Sequence, residues 1–111
     1  MAHQIQQLKS ETNGAENDFQ NAVKYYLLNS LETPQEFHQA VTGLFESVTK
    51  YRIALERLRK YLTDMREVEP LITRQTTIQR AIATLNIRDA ALERLLKKVT
   101  RLAADHSSRR R

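Results

Sequence analysis

From Phe37 onward the apolar side chains return at steps of four and three without exception: Phe37, Val41, Leu44, Val48, Tyr51, Leu55, Leu58, Leu62 and Met65. A seven-residue repeat sustained in this way puts every member on one stripe of an α-helix and is the pattern of a left-handed helix–helix seam. The start of that helix is written just upstream. Thr33 can accept from the free N–H groups of the first turn, Pro34 occupies the first helical position where a missing N–H costs nothing, and Glu36 completes the sequence of a capping box. The spacing predicts a helix over 34–66, roughly 48 Å long at 1.5 Å per residue. Such a length points to an elongated bundle rather than a ball.

Two further segments share the periodicity less cleanly. The first runs through Ile5, Leu8, Thr12, Ala15, Phe19, Ala22 and Tyr26, widened by Val23, Leu27 and Leu31. Asn13-Gly14 interrupts it, because glycine costs about 1 kcal/mol in a helix interior. The predicted helix therefore covers 15–31, behind a flexible N-terminal arm over 1–14. Pro70 disfavours helical geometry at the residue before it, so the second helix ends before Glu67-Val68-Glu69-Pro70. A third series then follows: Leu71, Ile78, Ile82, Leu85, Leu92, Leu95, Leu96, Val99 and Leu102. Asn86-Ile87-Arg88-Asp89 sets a polar residue where the seam expects an apolar one. One helix over 71–104 with a local defect is preferred to two helices capped at Asn86. Past Ala104 the chain has nothing to bury, and a disordered basic tail is expected over 105–111.

Three long amphipathic elements with short connections predict an all-α fold, an elongated antiparallel three-helix bundle with coiled-coil-like packing over 15–104. Composition agrees. Two glycines and two prolines in 111 residues leave few tight turns and therefore few, long elements. Cysteine is absent, which removes disulfides, thiolate chemistry and cysteine metal sites. The N-terminal residues have neither a basic nor an apolar signal region, and no apolar run reaches the ~18 residues of a membrane span. An intracellular chain without a membrane span is expected.

The net charge of +5 is unevenly distributed. Residues 1–37 carry −3 and residues 38–66 carry +3; residues 67–87 are neutral and residues 88–111 carry +5. On the second helix Arg52, Arg59 and Arg66 recur every seven residues beside the seam. Their stems can cover apolar edge while the charges stay wet, or the row can pair with acids on a neighbouring helix and select it. The acidic first segment could supply those acids. Glu46–Lys50 and Glu56–Lys60 have the i, i+4 spacing of favourable surface pairs. Arg94, Lys97, Lys98 and Arg101 are candidate contacts for an anion such as a phosphate, although bases late in a helix also complement its dipole without any ligand. The segment carries no aromatic residue on which a base could stack.

Reaction chemistry is harder to assemble. His3, His38 and His106 lie on separate stretches, and none has a second ligand at i, i+3 or i, i+4. Asp105, His106 and Ser107 are sequence neighbours, which is not the geometry of a triad. Gly14 and Gly43 stand alone, so no glycine-rich loop can cradle a phosphate. No enzyme activity, cofactor or metal is expected. The function implied is protein–protein assembly with other helical subunits or with a second copy. Phe37, Leu44, Tyr51, Leu58 and Met65 are the candidate interface. The alternatives are a small basic nucleic-acid-binding module and a homodimeric structural coiled coil.

Three stretches carry a family likeness. Gly14-Ala-Glu-Asn-Asp-Phe19 opens an amphipathic helix, Lys50 through Leu62 reads Lys-Tyr-Arg-Ile-Ala-Leu-Glu-Arg-Leu-Arg-Lys-Tyr-Leu, and Arg88 through Asp105 carries Leu92, Leu95, Val99 and Leu102. In this order they resemble the first, second and closing helices of small Mediator head-module subunits of the subunit-thirty type. The likeness covers about half the chain; residues 33–48 do not share it, and the family's long low-complexity inserts are missing. It implies a nuclear, non-enzymatic subunit that bridges transcription factors and RNA polymerase through helical contacts. Without that likeness a cytoplasmic location is expected.

Overall fold

A computed structural model describes residues 2–29 and 33–109 of the chain, with side chains over 4–28 and 33–104. Among these residues there are three helices, α1 (Ala2–Asn29), α2 (Pro34–Val68) and α3 (Ile72–Arg109). They form an antiparallel bundle 61 Å long and 22 by 15 Å across. The elongated all-α bundle expected from the periodicity is the fold.

α2 is the central helix. Its N-terminus is set by Thr33, in extended backbone, whose side chain accepts from the Glu36 N–H at 3.1 Å. Of the Glu36 carboxylate, which could supply the returning half of a capping box, Oε2 is buried without a hydrogen-bond partner among the described residues. The helix ends at Val68, because Glu69 takes the extended geometry that Pro70 imposes on the residue before it. The short link is closed locally, with the Leu71 N–H donating to Glu69 Oε1 and the Gln75 side-chain amide to the Glu69 carbonyl.

The seam repeat of α2 is its buried face. Val41, Leu44, Val48, Tyr51, Leu55, Leu58 and Leu62 are all buried, with Phe37 and Met65 half-buried at the two ends. α3 answers with one stripe of its own, Ile78, Ile82, Leu85, Asp89, Leu92, Leu96, Val99 and Ala103, each buried or half-buried. α1 contributes Leu8, Thr12, Ala15, Phe19 and Tyr26. The rings of Phe19 and Tyr51 lie 5.9 Å apart and those of Tyr26 and Phe37 6.2 Å apart. Buried Thr12 satisfies its hydroxyl within its own helix by donating to the Leu8 carbonyl at 2.8 Å, so a polar residue is held in the core at little cost.

Several expected boundaries are corrected. α1 begins at Ala2 instead of residue 15, and it runs through Gly14 without a break. The burial of Leu8 and Thr12 against α2 outweighs the intrinsic cost of one glycine, so residues 2–14 are the first half of a packed helix rather than an arm. α3 extends to Arg109, five residues past the expected end. Asp105-His106-Ser107-Ser108 contains neither glycine nor proline, and nothing in it stops a helix. The expected extension of the first helix to Leu31, and the last two arginines of the tail, fall outside the described residues. α3 passes through Asn86–Asp89 as one continuous helix, as preferred from the pattern. Neither Glu46–Lys50 nor Glu56–Lys60 closes as an ion pair among the described residues; Glu56 pairs instead with Arg59.

Candidate interaction surface

α1 and α3 each pack on α2 along most of its length and share its core, but their backbones do not approach one another. Among the described residues no Cα of α1 comes within 8 Å of a Cα of α3. Both run antiparallel to α2 and hence parallel to each other, with an open groove between them whose floor is α2. Two adjoining hollows mark it, of about 350 and 360 Å³. In one, Glu16, Phe19 and Gln20 of α1 face Arg88, Ala91, Leu92 and Leu95 of α3 across Tyr51. In the other, Ile5 and Lys9 of α1 face Ile78, Ala81, Thr84 and Leu85 of α3 across Leu58 and Leu62.

Periodicity explains why α3 can form a core stripe and a groove wall together. Ala81, Thr84, Arg88, Ala91 and Leu95 step by three and four, one position behind the core stripe, and therefore occupy the adjacent face. Continuing the step brings Lys98 and then Leu102, which is 47% exposed. On α1, seven residues beyond Gln20 on the same face stands Leu27, 70% exposed. Both walls thus carry an unburied leucine beyond the two hollows. The alanines and threonines of α3 keep its wall low, which is the arrangement that lets another helix come close.

The electrostatics of the groove centre on Tyr51. Burial pushes its hydroxyl up from the usual tyrosine range and the Glu16 carboxylate adds to this, while the positive charge of Arg88 opposes both. Among the residues lining the two hollows, Lys9 and Arg88 stand against the single acid Glu16. On the exposed side of α3, Arg94, Lys98 and Arg101 have no carboxylate within ion-pair distance among the described residues, and Lys97 lies 3.9 Å from Glu93.

The residues singled out from sequence distribute unevenly over this geometry. Leu44, Tyr51 and Leu58 are buried and Phe37 and Met65 half-buried in the chain's own core. As a set they are intramolecular packing, and only Tyr51 and Leu58 also floor the groove. Arg94, Lys97, Lys98 and Arg101 are exposed on α3. His38 is exposed on α2; the side chains of His3 and His106 fall outside the described residues. Among the described residues no three histidine, cysteine, aspartate or glutamate side chains gather in a position to hold a metal. No helix among them is long and apolar enough to cross a membrane.

The groove itself escaped the sequence reading. Its one available signal was the second α3 stripe ending in Leu95 and Leu102, a row that reads as a broadening of the core face. No protein-family model, curated protein or solved structure matches this chain.

Proposed function

We propose that this chain is a non-enzymatic interaction subunit of a helical multiprotein assembly. The observation that carries the reading is the separation of α1 from α3, which leaves an apolar-floored groove open along the bundle. A helix buries its apolar stripe against another element or against a partner, and a three-helix arrangement with one seam unclosed leaves a place for a further helix. Within that reading, the likeness of three stretches to small Mediator head-module subunits names a candidate setting, a nuclear transcription-coactivator assembly.

The test is the size at which the chain occurs in its own cells. Gel filtration of native extract with an epitope-tagged chain is expected to find it well above its own 12.9 kDa, and mostly free chain at that mass would sink the reading. For the coactivator setting the same fractions are expected to contain RNA polymerase, and their lack of it would remove that setting alone.

The exposed bases of α3 favour a second reading, a nucleic-acid-binding module. Phosphate contacts would give a steep loss of affinity with added salt. Against it, α3 has no aromatic residue between Ile72 and Arg109 for base stacking.

A further inference from the structure

Resting on the assembly reading, we infer that the α1–α3 groove is the seat of one acidic amphipathic helix from another protein, which completes a four-helix bundle. The groove fixes the partner's length. From Ile5 to Leu27 the α1 wall spans 22 residue steps, about 33 Å at 1.5 Å per residue, so the occupant is a helix of about six turns. The groove fixes its apolar stripe: half-buried Ile5 and Phe19 of α1 and Ile78 and Leu95 of α3 present hydrophobic surface over a floor of buried Leu58 and Leu62, beside the low α3 wall of Ala81 and Ala91. Low walls permit the 8–10 Å interaxial distances at which helices interlock.

Charge fixes its flanks. Lys9 and Arg88 line the walls and Lys98 continues the α3 wall, against Glu16 alone among the lining residues. An occupant with glutamate or aspartate beside its apolar stripe meets these bases at close range, whereas a basic helix meets repulsion. The same balance argues against a second copy. Two grooves of this chain brought together would oppose basic walls, and of the α1 acids Glu11 is already held by Arg57 at 2.9 Å. Nucleic acid would use the bases but leave the half-buried Ile5, Phe19, Ile78 and Leu95 uncovered.

The experiment uses the full chain and two synthetic 22-residue helices with the same leucine stripe, one flanked by glutamates and one by lysines. Fluorescence anisotropy is expected to show the glutamate helix binding at least tenfold more tightly. Ala91→Glu, on the groove wall, should weaken it at least tenfold. Ala83→Glu, on the opposite side of α3, should leave it unchanged, with circular dichroism showing helix retained in both. Should Ala91→Glu fail to fold, exposed Arg88→Glu serves in its place and should shift the preference toward the lysine helix.

Equal binding of both helices, or indifference to the groove variants, overturns the inference. So does a dimer in sedimentation that Ala91→Glu dissolves, which would make the occupant a second copy, or displacement of the peptide by duplex DNA. If neither helix binds although the chain fractionates in a large assembly, this occupant is wrong and the assembly reading stands. Binding of the glutamate helix by a chain that is free in extract would separate the two in the other direction.

Discussion

Arg52 on α2 and Asp89 on α3 face one another across the seam as a bidentate pair, Nε donating to Oδ1 at 2.8 Å and Nη2 to Oδ2 at 3.2 Å. Asp89 occupies the one polar position of the α3 core stripe, and Arg52 is the first member of the seven-residue arginine row. Arg59 reaches Asn86 at 3.4 Å, and Arg66 donates to Gln79. The row therefore marks α3 as its neighbour and sets the register between the two helices. The side chains are 32% and 40% exposed, so solvent screens the pair and limits what it contributes. In a double-mutant cycle with Arg52→Ala and Asp89→Ala, the coupling energy should be about 0.5–1 kcal/mol, raised above the exposed-pair median by the bidentate geometry. Urea unfolding of the four proteins checks this, and the coupling should shrink in high salt.

The same pair gives a pH signature. The Arg52 hydrogen bond holds the Asp89 carboxyl below the usual carboxylate range, against an opposing effect of burial. A carboxyl whose folded pKa lies below its unfolded value stabilises the fold fully above that unfolded value, near 3.9 for aspartate. The contribution is lost as pH falls through the folded value. The stability difference between the parent chain and Asp89→Asn should accordingly be constant from neutral pH down to about 5 and close at lower pH. Urea midpoints of both proteins measured between neutral pH and pH 2 would show it, and a gap that widens toward acid would refute the assignment.

Most of the architecture was legible because α2 carries its pattern without exception and Thr33-Pro34 fixes where it begins. The arginine row was equally visible, but its partner was not. Acids on α1 and on α3 are equivalent to a one-dimensional reading, and only the packing pairs Arg52 with Asp89. The polar defect at 86–89 and the row were separate oddities in the sequence; in space each accounts for the other. The groove was illegible for another reason. Periodicity reports which face of each helix is apolar, whereas the gap between α1 and α3 depends on how far apart the two sit on α2. Ala81, Thr84 and Ala91 are too weakly hydrophobic to announce a second contact face.

Residues 2–14 offer a sharp discrimination, because sequence and packing assign them different roles. Leu8 is 7% exposed and packs in the main core with Leu58, Leu62 and Ile82. Truncating a buried leucine removes its transfer energy and leaves a cavity, so Leu8→Ala should destabilise the chain by about 2–4 kcal/mol. In a loose arm the same change would have almost no effect. Leu55→Ala, at a site 1% exposed on α2, sets the scale for a full core deletion. Chemical denaturation is expected to place Leu8→Ala nearer to Leu55→Ala than to the parent.

Gly14 and Gly43 lie inside α1 and α2 with ordinary negative φ angles. A Cβ built at either position meets nothing within 4 Å, so alanine there costs no packing. It removes backbone freedom from the unfolded chain and should stabilise by about 0.4–1 kcal/mol at each site. The sites lie on different helices with no residue in common around them, so the two gains should add. A thermal melt of Gly14→Ala/Gly43→Ala is expected to rise by several degrees, since 1 kcal/mol shifts Tm by about 4–8 °C in a domain of 60–100 residues. The single Gly14→Ala variant is the more informative. Its full gain requires that residues on both sides of position 14 be helical in the folded chain and lose that helix on unfolding. A rise for Gly43→Ala with none for Gly14→Ala would place the start of α1 after Gly14, and would shorten the groove wall by its Ile5 and Lys9 end.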